Sequence, residues 1–151
     1  VNVKSATVDV CVTADRRHGW VDVTDDLRRA IKDSGVVTGC AVAFVTHTTC
    51  ALMINEWEDG VMDDLRARLD SLVPEDAYYA HDDMDRRTQN ILEEGERRNG
   101  HAHVTQMIVG GTSHAIPVDA GEPMLGTWQR LVLLELDEPK ERKIVFHVFG
   151  G

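Results

Sequence analysis

Hydrophobic and polar positions change period several times along the chain, and each change marks an element. From Ala6 to Thr13 they alternate, with Ala6, Val8, Val10 and Val12 on one side and Thr7, Asp9, Cys11 and Thr13 on the other. That period of two predicts a half-buried strand. GWVDVT at 19–24 predicts a second, short strand, and Thr24 then offers a cap for DDLRRAIKDS. Asp25 and Asp26 suit the positive end of a helix dipole, Leu27 and Ile31 share a face, and Gly35 can stop the helix. CAVAFVT at 40–46 is apolar on both faces, the pattern of a strand covered above and below. The polar triplet HTT at 47–49 interrupts it before CALMI at 50–54 resumes. Val61, Leu65, Leu69 and Leu72 then fall at helical spacing and predict an amphipathic helix over 59–73, ending before Pro74.

From Pro74 to Gly100 the chain is polar and charged, with room for one short helix around 88–97. Beyond it, HVTQMIVG, HAIPV, PMLG, TWQRLVLLEL and KIVFHVF read as five strands separated by GGTS, DAGE and DEPKE turns. Strands dominate, helices sit between them, and no βαβ rhythm is present. The expectation is an α+β fold: an antiparallel β-sandwich, jelly-roll-like, with two or three packed helices, built as a single domain over 1–151.

Composition narrows the function classes. In 151 residues there are 16 Lys and Arg against 26 Asp and Glu, a formal net charge of −10. Such a chain repels nucleic-acid phosphates, and its arginines are interleaved with acids, so no nucleic acid partner is expected. No apolar run approaches the ~20 residues of a membrane span, so no membrane association is expected either. VNVKSATVDV lacks a basic segment followed by an apolar stretch, which makes the cytoplasm the expected location. Cys11, Cys40 and Cys50 have no CxxC spacing and read as buried, reduced thiols.

Candidate chemistry rests on histidines. His47 leaves an apolar strand, His81 lies in the irregular stretch, and His101 and His103 form an HxH at the start of an expected strand, where both imidazoles would share a face. If HTT stays extended, His47 and Thr49 share a side, and a hydroxyl on one ring nitrogen leaves the other free for a metal or a substrate. The alternative is a turn whose threonines satisfy their own backbone. Asn55 and Glu56 follow the next apolar run, and the Glu56 carboxylate reads either as a solvated start and cap of the helix that begins near residue 58 or as a general base or a group orienting one. Gln129 in GTWQ either faces a polar pocket or serves the strand start, and Asp82, Asp83 and Asp85 read as solvated surface with a hard-cation alternative. No GxGxxG or GxxxxGK[ST] cradles a phosphate, which leaves Arg130, Lys140 or Arg142 for any anion.

Taken together, HTTCALMINE at 47–56, YYAH at 78–81, NGHAH at 99–103, IPV at 116–118, and LGTWQ at 125–129 with LLELDEP at 133–139 resemble the YjbQ-like family, also named secondary thiamine-phosphate synthase-like. The resemblance implies the YjbQ-like fold, and a homotrimer with polar clefts at the subunit junctions. It implies His47, Glu56, His81 and His103 as catalytic residues, with Thr48, Thr49, Asn55, Asn99 and Gln129 binding the ligand; Arg130, where the family often has glycine, is expected to add a ligand-binding charge of its own. It further implies a divalent metal, Zn or Mg, on His47, His81 and His103, where a bound water would be activated. The named activity joins a pyrimidine pyrophosphate to a thiazole phosphate, so the implied partner is a small phosphorylated or anionic ligand. A metal-dependent hydrolase and a non-catalytic anion- or metal-binding trimer are the alternatives. Cys50, Glu138 and Lys140 stand where the family has alanine, glycine and arginine, and the last change removes a bidentate anion fork.

Overall fold

The computed structural model describes residues 2–151. Strand β1 (Lys4–Val12) runs antiparallel to the last strand, β8 (Arg142–Gly150), so the two ends of the chain pair with each other. β8 continues to β3 (Gly39–Val45), then β5 (Ser113–Asp119) and the two-residue β6 (Glu122–Pro123), completing a five-stranded sheet in the order β1-β8-β3-β5-β6. A smaller sheet has β7 (Arg130–Glu135) at its centre, flanked by β2 (Trp20–Asp22) and β4 (Cys50–Asn55). Every pairing is antiparallel. The α+β, sheet-dominated architecture expected from the pattern is the one observed.

The main core lies between the sheets. Ala41, Ala43, Ile116, Ile144, Phe146 and Val148 of the large sheet meet Leu52, Leu131 and Leu133 of the small one, and Leu27 and Ile31 of helix α1 (Thr24–Ser34) complete the cluster. Gly35 closes α1 at φ 68°, a left-handed angle that favours glycine. The cap differs in detail from expectation: Thr24 is already helical, and its N–H donates to Asp22 Oδ1 at 2.9 Å. Alternate residues of β7, Leu134 with Leu136 beyond it, turn to the opposite face. There they join Ala51, Leu69 of helix α2 (Asp59–Leu72) and Ala102 of helix α3 (Gly100–Val109) in a second core. This explains why β7 is apolar on both faces.

Three expectations need correction. HVTQMIVG is helix α3 rather than a strand, because Ala102, Thr105 and Val109 supply a helical stripe against the small sheet, and side-chain periodicity over so few residues did not separate the two. The 88–97 segment is irregular, and the only helical turn in that region is a 3-10 turn at Ala80–Asp82. Cys11 is exposed on the outer face of β1 and Cys40 is half-buried, so Cys50 alone is the buried thiol.

Candidate functional site

β3 and β4 end at the same edge of the sandwich, and HTT spans the gap between them. Thr49 is buried there. Its carbonyl and its Oγ1 each accept from Arg142 Nη2 at 2.9 Å. Arg142, 1% exposed, also donates through Nε to Glu135 Oε2 at 2.8 Å and through Nη2 to Oε1 of the same carboxylate, which is 0% exposed. This buried pair fixes the HTT corner. It also commits Nε and Nη2 of Arg142 to protein partners, so this edge of the guanidinium is no free anion fork. His47 turns back onto β8, and its Nε2 accepts from the Lys143 N–H at 2.9 Å. That bond places the ring proton on Nδ1, while burial, then the charges of Arg142 and Lys140, hold the His47 pKa below the ordinary value.

The other two histidines come from opposite ends of the irregular stretch. The rings of His81, in the 3-10 turn, and His103, in the first turn of α3, lie with centroids 4.5 Å apart at 42°. Asp82 makes this juxtaposition. Its Oδ1 accepts from the backbone N–H of Asn99 at 3.1 Å and of Gly100 at 2.9 Å, capping α3 from outside, and takes His81 Nδ1 at 3.1 Å. Because a carboxylate only accepts, Nδ1 carries the proton and His81 Nε2 carries the lone pair. The turn fits against α3 only because residue 100 lacks a side chain: a Cβ there would stand 2.6 Å from Tyr79 Cβ. Burial, and then the neighbouring His81, hold the His103 pKa below the ordinary value, so that ring is neutral at pH 7.

HxH does not act as a pair. Two residues along a helix turn through about 200°, so His101 leaves from the far side of α3. It is buried against Tyr79, and neither ring nitrogen has a hydrogen-bond partner. The expected common face belonged to a strand.

Two adjoining hollows open onto these rings. One of about 640 Å³ is lined by Thr48, His81, Arg87, Glu96, Asn99 and His103, among others. The other, of about 350 Å³, shares Thr48, Asn99 and His103 and adds His47, Lys140 and Arg142. Asn99 Nδ2 donates to Asp137 Oδ2 at 3.0 Å, and Lys140 donates to the same oxygen at 2.8 Å. Burial pushes the Asp137 carboxyl up, but these donors outweigh it and hold its pKa below the usual carboxylate range.

The remaining expected residues lie elsewhere. Asn55 pairs with Arg130 at one end of β4 and β7, while Cys50 pairs with Glu135 at the other. Five residue steps along the strand separate them, about 17 Å. Asn55 Oδ1 accepts from the Glu56 N–H at 2.7 Å, Arg130 donates to Asp22 at 2.7 Å, and Gln129 Oε1 closes its own loop on the Gly126 N–H at 2.8 Å. Within one chain, then, His47, Thr48, Thr49, His81, Asn99 and His103 come together, and Asn55, Glu56, Gln129 and Arg130 form a separate group. Glu58, not Glu56, caps α2, accepting from the N–H groups of Gly60 and Val61 at 2.8 Å.

The three-imidazole metal centre does not fit this arrangement. Among the described residues no group of three or more His, Cys, Asp and Glu side chains is disposed to hold a metal ion. The reason is local: the Nε2 lone pair of His47 is spent on the Lys143 N–H, which leaves at most His81 and His103 of the three imidazoles.

The sequence profile of the family described as "UPF0047 protein YjbQ-like" matches residues 9–151. The chain belongs to this family. A UPF0047 protein of Archaeoglobus fulgidus is 34% identical over 130 residues, covering 86% of this chain and 90% of the relative. Among solved structures, a YbjQ-like protein of unknown function from Sulfolobus solfataricus superposes with a TM-score of 0.86 at 30% identity, covering 99% of this chain and all of the other. A hypothetical protein from Aeropyrum pernix gives 0.82 at 32% identity, with 97% and 99% covered. These UPF0047 names carry the fold and no activity. Among the described residues of this YjbQ-like chain, no helix is long and apolar enough to cross a membrane.

Sequence reading missed Arg87, Glu135 and Asp137, and it took Asp82 for solvated surface or a hard-cation ligand rather than a helix cap and histidine partner. Asp82 and Arg87 were hidden in a charged run that resembles solvated surface, and Glu135 gave a faint signal as the one acid at the end of an apolar strand.

Proposed function

We propose that His81 and His103 form a proton-transfer pair acting on a small phosphorylated molecule held in the two adjoining hollows. The observation that carries this reading is the 4.5 Å approach of the two rings, with His81 oriented by Asp82. In this reading, His81 Nε2 takes the proton of an attacking water or hydroxyl as its oxygen bonds to phosphorus. The same proton passes to the oxygen that leaves. His103, kept neutral, donates an N–H to the oxygen on which charge develops. Lys140 and Arg142 supply positive potential, although each already holds a protein partner. Phosphorylated heterocycles are the first substrates to test, the pyrimidine pyrophosphate and thiazole phosphate pair among them. Turnover is expected to fall at least ~100-fold in His81→Ala and in His103→Ala. Equal turnover in the double variant refutes the reading.

A non-catalytic binding role is the second reading, favoured by the state of the thiol beside the HTT corner. Burial pushes the Cys50 thiol up to about 11, far from a thiolate at neutral pH. Saturable binding of the same compounds without turnover selects this reading.

A homotrimer completes the proposal. The outer face of the large sheet carries Val42, Phe44, Val145 and Phe149 on neighbouring strands, with both Phe rings 41% exposed, and Trp128 is 71% exposed. Exposed large apolar side chains of this kind support burial against another copy. A second copy is also the means by which the Glu56 and Arg130 group of one chain could reach the His81 and His103 group of another.

A further inference from the structure

Between Asp83 and Arg98 the chain forms no helix or strand, yet it walls the larger hollow through Arg87, Gln89, Asn90, Leu92 and Glu96. A segment of that length without regular structure must satisfy its backbone groups by other means. One guanidinium does much of this. Arg87 Nε donates to the carbonyl of Gln89 at 3.1 Å and Nη2 to that of Asn90 at 2.7 Å. Its Nη1 donates to the carbonyl of His81 at 3.3 Å and to Glu96 Oε2 at 3.0 Å. The other oxygen of Glu96 accepts from the Leu92 N–H. The Arg87 and Glu96 side chains are only 12% and 13% exposed, although most of their neighbours in the segment are exposed. The pair therefore ties both limbs of the segment together and fastens the knot to the backbone of His81.

We propose that Arg87 is a positioning residue: clasped by Glu96, it shapes the 83–98 strap and holds His81 in place opposite His103. The proposal rests on the reading of His81 and His103 as the working pair, and it specifies what keeps them in register. Arginine is required because a planar fork can serve three carbonyls and a carboxylate at once. A lysine ammonium in its place meets Glu96 but cannot span the rest. The same arrangement explains why this cation, although it lines the hollow, is not available as a phosphate clamp.

The test compares Arg87→Ala, Arg87→Lys and Glu96→Ala with Arg98→Ala, a surface control on the same segment. Two measurements do not depend on activity. Nuclear Overhauser contacts between the His81 and His103 ring protons are expected in the wild type and in Arg98→Ala, and absent in Arg87→Ala and Arg87→Lys. Limited proteolysis within 83–98 is expected to quicken at least ~10-fold in the Arg87 variants, since several hydrogen bonds are lost together. If turnover is established, kcat is expected to drop with KM little changed, and the lysine variant is expected not to rescue it. Ring contacts and protease resistance that survive in Arg87→Ala overturn the proposal, whatever the activity screen shows. Loss of the contacts in a protein without turnover supports the clasp while removing the catalytic reading.

Discussion

Asp82 and His18 show how one side chain acquires a role from its surroundings. Asp82 is 6% exposed on its side chain and serves two backbone N–H groups and an imidazole. Asp82→Ala removes a helix cap and a histidine orienter together. Urea unfolding is expected to show a loss of about 1 kcal/mol, within the range for an N-cap, and turnover is expected to fall without a matching rise in KM. His18 is buried, with Nδ1 3.3 Å from Asp70, and burial, followed by the charge of Arg17, lowers its pKa from 6.5 to about 4. The unfolded chain therefore binds a proton that the folded chain refuses between those values. Stability from this group is complete above pH 6.5 and drains away as pH falls toward 4, by about 3 kcal/mol at the acid end. Denaturant midpoints measured from pH 7 to pH 4 should fall more steeply for the wild type than for His18→Gln, and parallel curves would show that the ring is not responsible.

At the scale of elements, the join between β7 and β8 decides the shape of the HTT corner. Glu135 ends β7, Arg142 starts β8, and their fully buried pair holds Thr49 at the start of β4. Removing one partner strands the other charge in the core. Arg142→Met and Glu135→Leu are each expected to cost 3–5 kcal/mol, at the scale of about that size for broken buried pairs, while the double variant recovers most of the loss. Its HTT corner, no longer tied, is expected to lose ligand affinity even where stability returns. Calorimetry of the three proteins measures the first effect, and titration with a phosphorylated ligand measures the second.

At the scale of the whole molecule, two groups of polar residues stand at opposite ends of the β4 and β7 pair. Phe44→Lys places a charge on the outer face of the large sheet; if the proposed trimer forms through this face, light scattering is expected to report a smaller species for the variant than for the wild type. If the Glu56 and Arg130 group completes a neighbour's site, mixing inactive His103→Ala with inactive Glu56→Gln restores a fraction of activity on reassembly. A mixture that stays inactive although trimers form shows that each chain works alone.

Local patterns reached a good part of this structure. Alternation around Val10, the apolar run at 40–46, the spacing of Leu65 and Leu69, and the glycine after α1 each reflect nearest-neighbour physics, and each identified its element. The HTT, NGHAH and YYAH segments, far apart in the chain, meet at one edge of the molecule. Folding in three dimensions settled the rest, because the forces concerned act between residues far apart in the chain. Whether HVTQMIVG coils or extends depended on the small sheet it packs against, and with that choice His101 and His103 parted company. Asp82 and Arg87 look like solvated charges until the backbone groups and the carboxylate they bind arrive from elsewhere, and Glu135 has no visible partner until Arg142 does. A polar side chain takes its role from its partners, and partners are a property of the tertiary fold.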